Sequence, residues 1–215
     1  SGISGDMCAA ALLDAGASEE AVRRALESLP VEGFAVEISR VKKSGLDVCD
    51  FSVVLDAAHE NHDHDMAYLH GHGGASEHGH GHDHDRDHGR AHDHDHAHGA
   101  PGGHHHRGPA EIAQIIDGAA MTDGAKAIAH RMFGFVADAE ARAHGVPVGE
   151  VHFHEVGAVD SIADIIAIAV AADDLAPDGV VVSDLPCGYG TVRCQHGLIP
   201  VPAPATAFIA EAAGL

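Results

Sequence analysis

The stretch Asp160-Ser-Ile-Ala-Asp-Ile-Ile-Ala-Ile-Ala-Val-Ala-Ala-Asp-Asp-Leu175 decides how this chain folds. Ile162, Ile165, Ile166, Ala169 and Leu175 recur at helical spacing, with Ala163, Ala167, Ala171 and Ala172 among the positions between them. The apolar stripe is too wide for a helix with one face in water, so this helix is expected at the centre of the fold. Asp160 is placed to cap its N-terminus, and Ser161 with Asp164 has the spacing of a capping box.

Working outward, the flanking segments read as shorter elements packed around that helix. Residues 7–15 are rich in Ala and Leu, follow the turn-prone Ser4-Gly5-Asp6 and close at Gly16, which predicts a helix with Asp6 as its N-cap. Ser18 caps a second, amphipathic helix that carries Val22, Ala25, Leu26 and Leu29 and ends before Pro30, so the two are expected as a helical hairpin. Residues 34–41 and 48–55 have strand character and are joined across Lys42-Lys-Ser-Gly45, which predicts a β-hairpin. Pro109 opens a helix through Ile112, Ile115 and Ile116. Thr122 caps a longer one that runs through Ile128, Met132, Phe133 and Val136 to Gly145. Gly179-Val-Val-Val-Ser183 reads as a buried strand, and Pro202 and Pro204 lead into a last helix from about Ala205. Helices and strands intermingle, so the expected class is α/β or α+β, a mixed sheet flanked by helices.

Residues 59–106 interrupt this pattern. They hold 17 of the 22 histidines in a background of Gly and Asp, as in Glu77-His-Gly-His-Gly-His-Asp-His-Asp85 and Ala91-His-Asp-His-Asp-His-Ala-His98. A neutral linker would also accumulate Ser, Gln, Pro and Lys, so the segment reads as a disordered metal-binding insert. Neutral imidazole is a common ligand of borderline divalent metals, and the alternation His78, His80, His82, His84 and again His92, His94, His96, His98 lets neighbouring rings share an ion. The 167 residues outside it make one ordinary domain, with residues 1–58 and 107–215 as its two parts.

The formal charge of −21 is not owed to the insert alone, because its nine acids and two arginines leave −14 on the remainder. Nucleic acid is therefore an unsuitable partner. No window holds 18 consecutive apolar residues and no signal-peptide pattern opens the chain, so a cytoplasmic protein without membrane spans is expected. Cys8, Cys49, Cys187 and Cys194 lack CxxC spacing, which fits reduced thiols. Cys187 and Cys194 flank a Gly-rich turn and have two readings, a shared metal or plain buried thiols, of which the second is favoured. The abrupt start at Ser1 and the stop within an apparent helix read as those of a fragment.

Two constellations carry chemistry. In Val151-His-Phe-His-Glu-Val-Gly-Ala-Val-Asp160, an extended backbone points His152 and His154 the same way, and Glu155 joins them where Gly157 lets the chain bend. Two imidazoles and a carboxylate suffice for a three-ligand site with an open position. The plainer reading has the histidines bonded to backbone carbonyls and Asp160 acting only as a cap. Cys187-Gly-Tyr-Gly190 followed by His196-Gly197 is a loop in which the amides of Gly188 and Gly190 could approach an anion, aided by Arg193 and His196. It lacks the lysine and spacing of a P-loop, and a tight turn with glycines at positive φ explains it equally well. No Ser-His-Asp order or activated cysteine is evident.

Ser1-Gly-Ile-Ser-Gly-Asp-Met7, the His-rich insert, His152-Phe-His-Glu-Val-Gly-Ala-Val-Asp-Ser161 and His196-Gly-Leu-Ile-Pro-Val-Pro-Ala-Pro-Ala-Thr206 follow one another in an order that resembles the LarC family of nickel-insertion proteins. The resemblance covers nearly the whole chain. It implies a nickel chelatase of the lyase class that places Ni2+ into pyridinium-3,5-bisthiocarboxylic acid mononucleotide, forming a carbon–nickel bond in a CTP-dependent reaction that completes the nickel pincer cofactor of lactate racemase. It also implies a short hydrophobic strand ahead of Ser1, which this sequence lacks. A C-terminal half beyond position 215 would bind CTP with Mg or Mn. The chain is then the N-terminal, nickel-handling half, with His152, His154 and Glu155 near the precursor. Its implied partners are that precursor, the C-terminal half, lactate racemase apo-protein and a second copy in a homo-oligomer. The competing readings are a nickel storage or carrier protein, for which the insert alone would serve, and a structural domain with an incidental His-rich loop.

Histidines bind metal only when neutral, and their unperturbed pKa is about 6.5, so nickel held by the insert should be released as the pH falls through roughly 6 to 5. Equilibrium dialysis with metal analysis reads this directly, and full nickel stoichiometry at pH 5 would exclude imidazole ligation.

Overall fold

A computed structural model of the chain describes residues 3–56, 107–153, 157–194 and 197–215; the histidine-rich insert, with all eight of its named ligands, lies outside them. Ten elements carry the fold: α1 (Gly5–Asp14), α2 (Glu19–Glu27), β1 (Phe34–Lys43), β2 (Leu46–Leu55), α3 (Pro109–Gly118), α4 (Asp123–His144), α5 (Val159–Leu175), β3 (Thr191–Cys194), β4 (Gly197–Pro200) and α6 (Pro204–Ala213).

Helix α5 is the expected centre. Val159, Ile162, Ala163, Ile166, Ala167, Ala169, Val170 and Ala171 are buried on it, while Ile165 and Leu175 are only partly covered. Helices α1, α2 and α4 and strand β2 all pack against it. The side chains of Ala163, Ala167, Ala169 and Ala171 are short, so each neighbour can approach closely while the isoleucines fill the spaces between. Full burial of one such isoleucine stabilises the fold by about 2 kcal/mol. Helix α3 joins the core through Ile112, Ile115 and Ile116 and packs on α4, as does α6.

Local signals start and stop these elements. Ser18 Oγ accepts the Ala21 N–H at 3.2 Å at the head of α2, and Thr122 Oγ1 accepts that of Ala125 at 3.0 Å at the head of α4. Gly145 ends α4 in the left-handed conformation, at φ 67°. The β1–β2 hairpin is antiparallel, pairing Phe34 with Leu55 and Lys43 with Leu46. Ser44 and Gly45 both have positive φ, 54° and 83°, as a two-residue type I′ turn requires. Asp14 of α1 accepts the Cys49 N–H at 2.8 Å and pairs with Arg40, which fastens the hairpin to the helical layer.

Among the described residues helices and antiparallel hairpins intermingle in an α+β arrangement with two separate two-stranded sheets, β1–β2 and β3–β4. Helices α1 and α2 follow each other closely, and what joins them is their shared packing on α5. Three expectations are corrected. Gly179–Ser183 is not a buried strand: Val180, Val181 and Val182 are 78%, 97% and 55% exposed, and no strand among the described residues pairs with them. A β-branched run makes a strand only where a neighbour supplies the ladder. Asp160 and Asp6 are not caps. Each is the second residue of its helix, behind the N-caps Ser4 and Ala158; at α5 the buried Val159 already belongs to the helix. The Ser161–Asp164 capping box does not form, since Asp164 turns to a different helix.

Replacing Ile166, which has no exposed surface, by alanine should cost about 2–5 kcal/mol in urea unfolding. Val181→Ala, on the exposed segment, should stay within about 0.5 kcal/mol of the parent. Equal effects would remove α5 from the centre of the fold.

Candidate metal centre

A short 3-10 helix, Val148–Glu150, delivers the chain into an extended segment. Val151 and Phe153 are each 2% exposed and His152 between them is exposed, as a period of two demands. Phe153 borders an apolar cavity of about 190 Å3 with Ile112, Ile116 and Phe133, so its ring holds the segment against α3 and α4. The same residue forms an isolated antiparallel bridge with Arg107: the Phe153 N–H donates to the Arg107 carbonyl at 3.2 Å.

Arg107 is also held through its side chain. The side chain is 14% exposed, and its guanidinium donates to the Gly157 carbonyl at 2.9 Å and lies 3.3 Å from Glu111 in the first turn of α3. A Cβ at Gly157 would fall 2.9 Å from the Phe153 carbonyl oxygen, so only glycine lets the chain come back so close to the point where it left. His154 and Glu155 fall between those two ends and outside the described residues, as does His196. Among the described residues no group of three or more His, Cys, Asp or Glu is arranged to hold a metal ion. What the structure places is His152, at the surface, on a segment anchored on both sides.

The second constellation is a turn whose glycines are needed for their backbone. Gly188 and Gly190 have φ of 73° and 101°, and the Gly190 carbonyl accepts the Val201 N–H at 3.0 Å. Arg193 is exposed on β3. Cys187 is exposed, contrary to the expected buried thiol, because the stretch that carries it packs against little: Leu185 and Tyr189 are also exposed.

One feature escaped sequence reasoning. The half-buried Asp164 of α5 accepts the backbone N–H of Asp6 at the start of α1. Its carboxyl sits over Gly5, where any Cβ would collide with it. Burial, then the charges of Asp6 and Asp160, push its pKa up to about 7. Burial first, and then the Asp164 charge, also raises the Cys8 thiol. The only sequence signal for this contact was a glycine at position 5, and its partner lies far along the chain.

A family model described as nickel insertion protein matches residues 1–215. Among curated proteins, the pyridinium-3,5-bisthiocarboxylic acid mononucleotide nickel insertion protein of Alkaliphilus metalliredigens is 45% identical over the whole of this chain. Proteins of the same name from Akkermansia muciniphila and Geobacillus kaustophilus are 38% and 36% identical, each over 98% of it. The chain spans only 45%, 43% and 43% of the lengths of these relatives. No solved structure matches.

Because Asp164 has a folded-state pKa near 7 against an ordinary 3.8, the folded chain holds a proton that the unfolded chain gives up. The stability this contributes is full below about pH 4 and is lost as the pH rises to about 7. Asp164→Asn keeps an oxygen for the Asp6 N–H and removes the charge. Relative to the parent, it should gain stability across that window, on the order of 2 kcal/mol once partial exposure is allowed for. Thermal melts of the two metal-free proteins at matched pH read the difference, and a constant offset from pH 4 to 8 would contradict it.

Proposed function

The chain belongs to the nickel insertion protein family, and from that premise we propose that it is the nickel-handling half of an insertase that loads Ni2+ into pyridinium-3,5-bisthiocarboxylic acid mononucleotide. The curated relatives carry that substrate in their names. The single observation behind the reading is that exposed His152 sits on a segment anchored by Arg107, where the histidine-rich tract rejoins the fold.

In this reading nickel is the cargo. The tract collects it on imidazoles that exchange quickly, and tethering keeps the local concentration high. His152, His154 and Glu155 receive the ion and leave coordination positions open for the sulfur donors of the precursor. Imidazole favours Ni2+ over Co2+ and Mn2+ by the Irving–Williams order, and the acidic chain as a whole attracts cations. Formation of the carbon–nickel bond, with CTP and Mg or Mn, belongs to a C-terminal half, which makes the complete protein a nickel chelatase of the lyase class. It acts in the cytoplasm, in the maturation of lactate racemase. Gly188 and Gly190, in a turn at positive φ ahead of β3, are suited to an anionic group of the precursor, with His196 as a further candidate contact. A second reading is a nickel store or metallochaperone without chemistry, for which the density of histidines in residues 59–106 would suffice.

Calorimetric titration of nickel into a variant lacking residues 59–106 separates the two. The insertase reading expects one retained site, abolished by His152→Ala or His154→Ala. A store that works through the tract alone would retain none.

A further inference from the structure

We infer that the exposed run Gly179-Val-Val-Val-Ser-Asp-Leu185 is a docking strand: a β-strand from the other part of a longer insertase adds to it and covers it. The inference rests on the reading of the chain as one half of that insertase.

The run has what a buried strand needs except a neighbour. Side chains alternate on a strand, so paired in this way Val180 and Val182 would face one side and Val181 the other. Apolar residues on both faces are the pattern of a strand that is covered on both. Here all three valines are exposed, Val181 almost wholly, and Leu185 and Tyr189 are exposed beyond them. Residues 179–185 make no backbone hydrogen bond among the described residues, and neither sheet includes them. Contiguous apolar side chains beside an unpaired backbone are what strand addition uses: the main chain supplies the ladder and the side chains supply the selectivity. Pro186 then stops the run, because it has no N–H for a ladder.

Three sources could supply the strand, and two of them fail. Residues 59–106 contain no Val, Ile, Thr or Phe, so they lack the β-branched side chains that suit a strand facing three valines. A second copy would close on the run by antiparallel pairing about a two-fold axis at Val181. Val180 would then face Val182, but Asp178 would face Asp184 at both ends, and like charges directly opposite each other destabilise a pair. Two chains that each carry −14 outside the insert repel one another as well. The third source is the part of the longer relatives that lies outside the matched span, which covers 45%, 43% and 43% of their lengths. A part of that size can provide both a strand for the ladder and cover for the two faces. The strand it provides is apolar at its centre and carries no acid opposite Asp178 or Asp184. Because the run leads directly into the turn of Gly188 and Gly190, docking also sets that turn at the junction of the two parts, where ligand sites are commonly built.

The test is hydrogen–deuterium exchange, read by mass spectrometry, on the product of the complete reading frame and on this chain of 215 residues, each as the parent, Val181→Asp and Val181→Thr. Thermal melts accompany it. The amides of Val180, Val181 and Val182 should exchange about a hundredfold more slowly in the complete protein than in the chain alone. Val181→Asp should remove that protection and lower the melting temperature of the complete protein, while the melting temperature of the chain alone stays unchanged. Val181→Thr keeps the branched shape and should shift protection in the same direction, so it serves if the aspartate variant fails to fold. Equal exchange in the two parents overturns the inference. Protection in the chain alone that rises with its concentration also overturns it, since the occupant would then be a second copy. Transfer of Ni2+ into pyridinium-3,5-bisthiocarboxylic acid mononucleotide, assayed on the complete protein, separates this inference from the proposed function. A protein that transfers nickel with the three valines unprotected overturns this inference alone. One that protects them and transfers none overturns the proposed function and supports the docking strand. A reading frame no longer than this chain overturns both.

Discussion

The burial of α5 on nearly all sides is the constraint from which the other contacts follow. A helix with so little polar surface must be surrounded, and α1, α2, α4 and β2 meet around it. Its few acids then act as fasteners for those neighbours. Asp164 takes the backbone N–H of Asp6 at the head of α1, Asp173 takes the Thr122 hydroxyl at 2.5 Å at the head of α4, and Asp174 takes the Ser18 N–H at 2.7 Å at the head of α2. Three helix starts are thereby fixed by one helix. Asp164 is the costly one of the three, because it is half-buried and faces Asp6 and Asp160, which is why its carboxyl holds a proton near neutral pH.

The segment that carries the candidate ligand His152 runs toward that hub. Gly157 lies two residues ahead of the buried Val159, at the entry to α5. Phe153 anchors the other end in the core. His152 is exposed between two buried neighbours, which suits a ligand that must accept an ion and later release it. A histidine sunk in the core would hold metal more rigidly and exchange it more slowly. The charge of −14 that remains outside the tract adds a field that draws cations toward the folded part.

Much of this was legible in the residues, wherever the cause was local. Ser18, Thr122, Gly145 and the Ser44-Gly45 turn act within a few positions of themselves, and each does what its chemistry predicts. The width of the apolar stripe placed α5 at the centre. Contacts made across the chain were not legible. Asp160 and Asp6 look like caps until the burial of Val159 and the conformation of Ser4 set the helix starts elsewhere. Val180–Val182 has strand composition, yet composition does not supply a partner. Arg107 is one arginine at the edge of a histidine-rich tract, and only the fold reveals that Phe153 and Gly157 are its neighbours. For the candidate site, the His-x-His spacing singled out the segment from His152 to Glu155 and gave no hint that Arg107 and Gly157 flank it.

The central claim is that the folded segment around His152, and not the tract alone, is where nickel comes to rest. Amide spectra of the isotope-labelled full chain, recorded as the first equivalent of paramagnetic Ni2+ is added, test it most directly. The account predicts that signals of Val151–Phe153, Gly157–Val159 and Arg107–Gly108 shift or broaden with that first equivalent. Changes confined to residues 59–106, with those signals untouched until the tract is saturated, would contradict it.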